Sequence, residues 1–177
     1  MRIFLDTANI EQIKQGVKMG VVSGVTTNPT LSAREGNADY EALSKEICSI
    51  VAPGPVSVEV LTEGVEPMVR QAREIATWAP NIVVKIPSTA EGLEATKILA
   101  CEGIKVNMTL CFSLNQALLA ALSGAAYVSP FVGRLDDIGE NGIQLVEDIV
   151  KVFKSYNLST EVIAASIRHP QHCVSAA

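Results

Sequence analysis

The chain has 177 residues, of which 48% are hydrophobic, and a formal net charge of −5 at pH 7. This length suits one well-buried domain over residues 1–177, and no shift in composition marks a second domain. The acidic balance leaves no basic surface to hold a nucleic-acid backbone, so an anionic ligand must be bound by individual cationic residues.

Targeting and membrane signals are missing from the sequence pattern. Arg2 leads directly into a strand-like segment, without the apolar stretch and cleavage site of a signal peptide. No apolar run approaches the roughly 20 residues of a membrane span. Cys48, Cys101, Cys111 and Cys173 are widely spaced and form no CxxC pair. We therefore expect reduced thiols in a cytoplasmic protein without a membrane partner.

Short apolar segments alternate with longer helical patterns, which predicts an α/β fold with parallel strands. In chain order, the predicted strands are 2–6, 22–27, 56–60, 82–86, 104–109, 127–131 and 161–166. Helix starts are predicted from a cap at Asn9, capping boxes at 88–91 and 113–116, and Pro170 in a first turn. A long loop is predicted over 132–141.

Two folds fit this alternation, a closed (β/α)₈ TIM barrel and an open doubly wound sheet. The open sheet normally has a glycine-rich phosphate loop after its first strand, whereas that turn here reads Asp6-Thr-Ala-Asn9. We therefore predict a TIM barrel. Such barrels usually need at least about 200 residues, and the chain stops at Ala177, inside the expected seventh helix. We expect the eighth βα unit to be missing through C-terminal truncation, unless the barrel is completed in another way.

Nearly every predicted strand ends in polar side chains, and TIM-barrel active sites lie at the carboxyl ends of the strands. Several of these side chains are two residues apart, which places both on one face of a strand. In chain order they are Asp6, Thr26, Asn28, Glu59, Lys85, Asn107, Thr109, Ser129, Ser166 and Arg168.

Lys85 is the most informative of these residues, because it follows Ile82-Val-Val84 inside a strand expected to be buried. Burial favours the neutral amine, which is the nucleophile that attacks a carbonyl to form a Schiff base. The structural alternative is a lysine that pairs with a strand-end carboxylate or extends to solvent. Asp6 and Glu59 are candidate acid/base partners, although Asp6 could instead cap the first helix.

Arg134 and Arg168 are candidates for binding a phosphate, because guanidinium groups bind phosphate with two hydrogen bonds. Arg168 also precedes a predicted helix and lies beside Ser166. His169 and His172 are three residues apart, but no third ligand lies nearby and no HExxH motif occurs. We predict no metal site.

At these positions the sequence resembles the transaldolase family, specifically its small single-barrel members. The resemblance runs along the whole chain and is strongest at 3–9 (IFLDTAN), 24–31 (GVTTNPTL), 56–60 (VSVEV), 84–87 (VKIP) and 127–137 (YVSPFVGRLDD). It implies a metal-free class I enzyme that needs no cofactor and holds a three-carbon dihydroxyacetone unit as an imine on Lys85.

The resemblance also implies roles for the other strand-end residues. Asp6 would be the general acid/base for the carbon–carbon bond, while Glu59 and Thr109 would hold a water used in proton transfer. The remaining assignments are hydroxyl binding by Asn28, Asn107 and Ser129, phosphate binding by Arg134, Ser166 and Arg168, and support of the site by Thr26.

Within the family, transaldolases pass the three-carbon unit to an aldose phosphate, whereas fructose 6-phosphate aldolases release it. The aldolases typically carry glutamine at the position of Glu59 and tyrosine at that of Phe131, so the sequence is closer to the transaldolases. The implied reaction converts sedoheptulose 7-phosphate and glyceraldehyde 3-phosphate into erythrose 4-phosphate and fructose 6-phosphate, in the pentose phosphate pathway. A phosphosugar-binding barrel without catalysis is a further alternative. The resemblance also implies a homo-oligomer, a pentamer or decamer.

Overall fold

The computed structural model describes residues 1–36 and 39–177, which divide into two compact units, Met1–Lys85 and Ile86–Ala177. The strands are β1 Ile3–Asp6, β2 Val22–Thr26, β3 Val56–Glu59, β4 Ile82–Pro87, β5 Val106–Cys111, β6 Tyr127–Pro130 and β7 Glu161–Val162. The helices are α1 Ile10–Lys18, α2 Pro29–Arg34, α3 Tyr40–Val51, α4 Val65–Ala76, α5 Ala90–Cys101, α6 Leu114–Ser123, α7 Val132–Asp136, α8 Gly142–Ser155 and α9 Pro170–Ser175.

In the first unit, β1 to β4 pair in chain order and every pair is parallel. The apolar side chains of β3 and β4 are almost wholly buried, as expected for parallel strands covered by helices, whereas those of β1 are partly or largely exposed. The register aligns Asp6 with Thr26 and Glu59 with Lys85. Polar groups at the ends of neighbouring strands are therefore brought level with one another.

In the second unit, β5 pairs with β6 and β6 with β7, again in parallel. Strand β7 is only two residues long. Backbone hydrogen bonds nevertheless continue beyond it, from Ile163 N to Val128 O and from Ala165 N to Pro130 O, both at 2.9 Å. These bonds hold 163–165 alongside β6.

The prediction of an α/β fold of the TIM-barrel type is confirmed by seven parallel strands that alternate with helices. No eighth strand occurs among residues 1–36 and 39–177. The predicted helix starts at Asn9, Ser113 and Pro170 are also confirmed. The number of domains in the chain stays a prediction.

Three local predictions were wrong. The capping box at 88–91 is shifted by one residue, because the Thr89 hydroxyl caps α5 by accepting from Gly92 N at 3.0 Å. The loop predicted over 132–141 contains α7, which begins directly after β6. Strand β7 was predicted to reach residue 166, but Ser166 has φ +59°, which is incompatible with an extended strand.

Within the part of the chain that the structure describes, no helix has both the length and the apolar character needed to cross a membrane.

The four cysteines are free thiols, two of them buried and two exposed. Burial raises the pKa of the Cys48 thiol to about 11 and that of the Cys111 thiol to about 11. At pH 8 we therefore expect a thiol reagent such as Ellman's reagent to modify Cys101 and Cys173 rapidly, and the buried pair only after unfolding. Equal reactivity of all four thiols in the native protein would contradict this account.

The same shifts predict a loss of stability at alkaline pH. The folded state binds the Cys48 and Cys111 protons more tightly than the unfolded state, whose cysteines titrate at about 9. This contribution to stability is complete below about pH 9 and is lost as the pH rises towards about 11. Urea unfolding across that range measures it, and Cys48→Ala should reduce the loss.

Candidate active site

The centre of the site in the first unit is an ion pair between Lys85 and Glu59. The Nζ atom of Lys85 lies 3.0 Å from Glu59 Oε2, and the two side chains are only 9% and 20% exposed. Nζ also donates a hydrogen bond to the Thr27 carbonyl oxygen at 3.1 Å. The lysine is thus a buried cation with two specific partners.

The strand register explains why this pair forms. Lys85 and Glu59 are directly opposite each other on β4 and β3, so their side chains leave the sheet on the same face. A charge left unpaired in this buried position would cost several kcal/mol. The Glu59 carboxylate therefore pairs with the Lys85 side chain and lies close enough to exchange a proton with it.

The pairing matches the structural alternative considered for Lys85, a lysine held by a strand-end carboxylate. Both the structural and the catalytic interpretation require such a partner, so the pair alone does not separate them. The location of the pair, at the carboxyl ends of parallel strands, is where enzymes of this fold bind substrates.

Asp6 forms a second pair in the same unit. The Thr26 hydroxyl donates a hydrogen bond to Asp6 Oδ1 at 2.8 Å, and Asp6 is exposed to solvent. Helix α1 is capped by Asn9, whose Oδ1 accepts from Gln12 N at 3.0 Å. The alternative that Asp6 caps this helix was therefore wrong, and its carboxylate is oriented by Thr26.

Asn28 follows β2 and is the N-cap of α2. Its side-chain oxygen accepts from Leu31 N at 2.9 Å. Because this bond orients the amide, its NH₂ group is the part of Asn28 that can donate to a ligand.

In the second unit, the predicted hydroxyl-binding residues lie together in the interior. The Ser129 hydroxyl donates to Asn107 Oδ1 at 2.8 Å, and both residues are buried. Thr109, two residues after Asn107 on β5, has a buried Oγ1 without a hydrogen-bond partner among the described residues. Since a buried hydroxyl without a partner is costly, Thr109 Oγ1 is a candidate for binding a water or a substrate hydroxyl.

Ser166 and Arg168 pack against the start of α7. Gly133 N donates to Ser166 O at 3.0 Å, and a Cβ atom on Gly133 would come within 2.3 Å of that oxygen and 2.5 Å of the Arg168 side chain. Only glycine permits this approach. The Arg168 guanidinium forms an ion pair with Asp137 at 2.6 Å, with both side chains about half exposed.

The remaining predicted residues in this unit line the same β6–α7 connection. Phe131 packs edge-on against Phe112, with ring centroids 5.6 Å apart. Arg134 lies in α7 and is exposed. A solvent-facing guanidinium at this position can reach an anionic group without a desolvation cost.

His172, which the sequence suggested only as a metal ligand, has a different role in the structure. Its Nε2 lies 3.1 Å from Asp136 Oδ2, and its Nδ1 accepts a 3.3 Å hydrogen bond from Arg168 N. The described residues contain no group of three His, Cys, Asp or Glu side chains placed to hold a metal ion. His172 therefore connects α7 to the backbone of Arg168.

Two further residues at the Lys85 centre were missed, the Thr27 carbonyl and the phenol of Tyr40. Tyr40 Oη accepts a hydrogen bond from Glu59 N at 3.0 Å. A backbone carbonyl has no residue-type signal, and the separation of 19 positions between Tyr40 and Glu59 matches no motif spacing. The only hint was a bulky aromatic residue beside the Asp39 helix cap.

The Lys85–Glu59 pair predicts an asymmetric response to mutation. Glu59→Leu leaves the Lys85 cation buried without a carboxylate and should lower the free energy of unfolding by about 3 kcal/mol. The double variant Lys85→Met/Glu59→Leu removes both charges and should recover most of that loss. Urea denaturation followed by circular dichroism measures the change.

The exposed pair of Lys45 and Glu41 provides the matched control. Glu41→Gln should cost no more than about 1 kcal/mol, because water screens this pair. A double variant at 59 and 85 as unstable as Glu59→Leu would contradict a buried charge pair.

Comparison with known proteins identifies the family of this chain. The sequence model of the family described as Transaldolase/Fructose-6-phosphate aldolase matches residues 3–177. A probable transaldolase of Dehalococcoides mccartyi is 64% identical over the entire chain, which covers 82% of that protein. Probable transaldolases of Lactiplantibacillus plantarum and a Thermoanaerobacter species are 59% and 56% identical, with the chain covering 81% of each. The chain therefore belongs to the transaldolase/fructose-6-phosphate aldolase family.

Proposed function

We propose that the protein is a cytoplasmic transaldolase of the pentose phosphate pathway. In this proposal it transfers a dihydroxyacetone unit from sedoheptulose 7-phosphate to glyceraldehyde 3-phosphate, which gives erythrose 4-phosphate and fructose 6-phosphate. The observation that carries the proposal is the buried Lys85 amine 3.0 Å from the Glu59 carboxylate. Such a pair can supply both the nucleophile and the base that a Schiff-base reaction needs.

The reaction begins when Glu59 takes a proton from the Lys85 ammonium. The neutral amine attacks the C2 carbonyl of the ketose to form a carbinolamine. Glu59 returns its proton to the carbinolamine hydroxyl, which leaves as water and gives a protonated imine. Asp6 then takes the proton of the C4 hydroxyl, and the C3–C4 bond breaks. The electron pair of that bond moves to C3 as an enamine on Lys85, and the aldose phosphate leaves.

Transfer is completed by the reverse sequence with a second aldose phosphate. C3 of the enamine attacks the aldehyde carbon of the acceptor, and Asp6 returns its proton to the new C4 oxygen. Water then adds to the imine and releases the ketose from Lys85. Thr109 Oγ1, which is buried without a partner among the described residues, is proposed to bind a water needed in imine formation and hydrolysis.

Other residues are proposed to orient the substrate. Asn28, Asn107 and Ser129 would hydrogen-bond the hydroxyl groups of the three-carbon unit. Arg134, Ser166 and Arg168 would bind the phosphate group, for which Arg168 would have to exchange its ion pair with Asp137. That pair is half exposed and weak, so a dianionic phosphate with two hydrogen bonds is a stronger partner.

Transfer is preferred over release of free dihydroxyacetone because of two residues. Glu59 supplies a carboxylate where the aldolases typically have glutamine, and Phe131 lacks the phenolic hydroxyl of the aldolases. The Phe131 ring packs on Phe112, so this position supplies an apolar surface. The names of the similar proteins, all probable transaldolases, also support transfer.

A homo-oligomer, a pentamer or decamer, is part of the proposal. Light scattering at working concentrations should give a mass several times that of one chain, and a monomer would contradict this part.

The central test is borohydride reduction in the presence of fructose 6-phosphate, followed by peptide mass spectrometry. We expect a reduced dihydroxyacetone adduct on Lys85, which Lys85→Met abolishes. Lys97→Met, which removes an exposed lysine of α5, is the control and should leave the adduct unchanged. No adduct on the folded protein would favour the phosphosugar-binding alternative.

A second reaction, with erythrose 4-phosphate and fructose 6-phosphate but without borohydride, separates transfer from release. A transaldolase forms sedoheptulose 7-phosphate, whereas an aldolase accumulates free dihydroxyacetone at the same rate with or without the acceptor. The second result would replace the proposed transfer by the aldolase reaction.

A further inference from the structure

Tyr40 lies where the regular hydrogen bonding between β2 and β3 stops. The last regular bond runs from Thr27 N to Ser57 O at 3.0 Å. In a parallel ladder, the next bond would run from Glu59 N to Thr27 O. Both atoms of that expected bond have other partners. Glu59 N donates to Tyr40 Oη at 3.0 Å, and Thr27 O accepts from Lys85 Nζ at 3.1 Å.

This exchange of partners connects Tyr40 to the reacting lysine. By accepting from Glu59 N, the Tyr40 hydroxyl leaves the Thr27 carbonyl available to Lys85. It also holds the backbone of the residue whose carboxylate pairs with Lys85. Both partners of the Lys85 amine therefore depend on the position of one hydroxyl group.

The surroundings keep this hydroxyl protonated and in place. Burial raises the pKa of Tyr40 above its ordinary value and the charge of Glu59 raises it further, while hydrogen bonds with the Glu59 backbone and the Thr27 side chain partly offset these effects. The ring packs edge-on against Trp78, with centroids 6.0 Å apart and an interplanar angle of 88°. The ring thus packs against Trp78, whereas the position of the hydroxyl is set by its hydrogen bond with the Glu59 backbone.

We propose that Tyr40 is a positioning residue for imine formation, which holds Glu59 and keeps the Thr27 carbonyl free to orient the Lys85 amine. This inference rests on the proposed function. Without the hydroxyl, Glu59 N loses its acceptor and is expected to pair with Thr27 O, in competition with Lys85. The amine would then be less well oriented towards the carbonyl and towards its base.

The test is rapid-quench borohydride trapping with fructose 6-phosphate, which measures the rate of imine formation. Tyr40→Phe keeps the ring and removes the hydroxyl, and we expect it to slow trapping about tenfold, as for the loss of one buried hydrogen bond. The KM for fructose 6-phosphate should change less than about twofold, since the phosphate-binding residues are untouched.

Two variants serve as controls. Tyr156→Phe removes the hydroxyl of a tyrosine that is 74% exposed and should leave the trapping rate unchanged. Trp78→Phe disturbs the packing of the Tyr40 ring but keeps its hydroxyl, so it should lower stability in urea without slowing trapping. This comparison separates a positioning role from a merely structural one, and fluorescence of Trp78 reports whether Tyr40→Phe is folded.

The outcomes distinguish this inference from the proposed function. Slow trapping in Tyr40→Phe alone supports the positioning role. A rate equal to that of the unmodified protein, or equal slowing by Tyr40→Phe and Trp78→Phe, overturns it while Lys85 remains the imine-forming residue. No adduct in the unmodified protein would overturn the proposed function, and this inference with it.

Discussion

The ion pair between Lys85 and Glu59 is the constraint on which the first unit of the structure depends. A buried ammonium is tolerated only with a carboxylate and further hydrogen bonds around it, and both are supplied by the ends of neighbouring strands. The register of β3 with β4 is therefore an electrostatic requirement as well as a result of apolar packing. The same pair places the proposed base, Glu59, beside the proposed nucleophile, Lys85. The contact that stabilises the buried lysine is therefore also the one that the proposed chemistry uses.

Positioning in both units relies on backbone features at the carboxyl ends of strands. The pairing of β2 with β3 ends at Thr26 and Ser57, and the Thr27 carbonyl oxygen beyond it accepts a hydrogen bond from Lys85. In the second unit, the left-handed conformation of Ser166 and the missing side chain of Gly133 bring the Arg168 segment against α7. Strained or closely packed backbone of this kind is often found at functional sites, and it is supported here by direct hydrogen bonds.

The sequence was sufficient for the strand series and for the prediction that Lys85 is an ionisable residue inside a buried strand. An ionisable residue inside Val-Lys-Ile contradicts the hydrophobic pattern of a buried strand, so it was detectable from local pattern alone. The end of β7 and the presence of α7 could not be predicted from local pattern. They depend on the left-handed φ of Ser166 and on its contact with Gly133, which lies about 30 positions away in the sequence. Tyr40 was missed because its proposed role also depends on a contact between distant residues. Its hydroxyl accepts from Glu59 N, which in a regular ladder would donate to Thr27 O on β2.

The roles proposed for Asp6, Asn107 and Arg168 depend on the family resemblance more than on local pattern. Their contacts are compatible with those roles: Thr26 orients Asp6, Ser129 pairs with Asn107, and Arg168 has a weak, exchangeable partner. None of these contacts specifies a ketose phosphate. The choice of substrate and of transfer over release therefore depends on the chemistry of Glu59 and Phe131.

The central claim is that Glu59 removes the proton that keeps Lys85 from attacking a carbonyl. The most direct measurement is the rate of borohydride trapping with fructose 6-phosphate as a function of pH, for Glu59→Gln and for the exposed control Glu63→Gln. We predict that Glu59→Gln slows trapping about a hundredfold at neutral pH and that Glu63→Gln leaves the rate unchanged. Equal rates in the two variants at neutral pH would contradict the account.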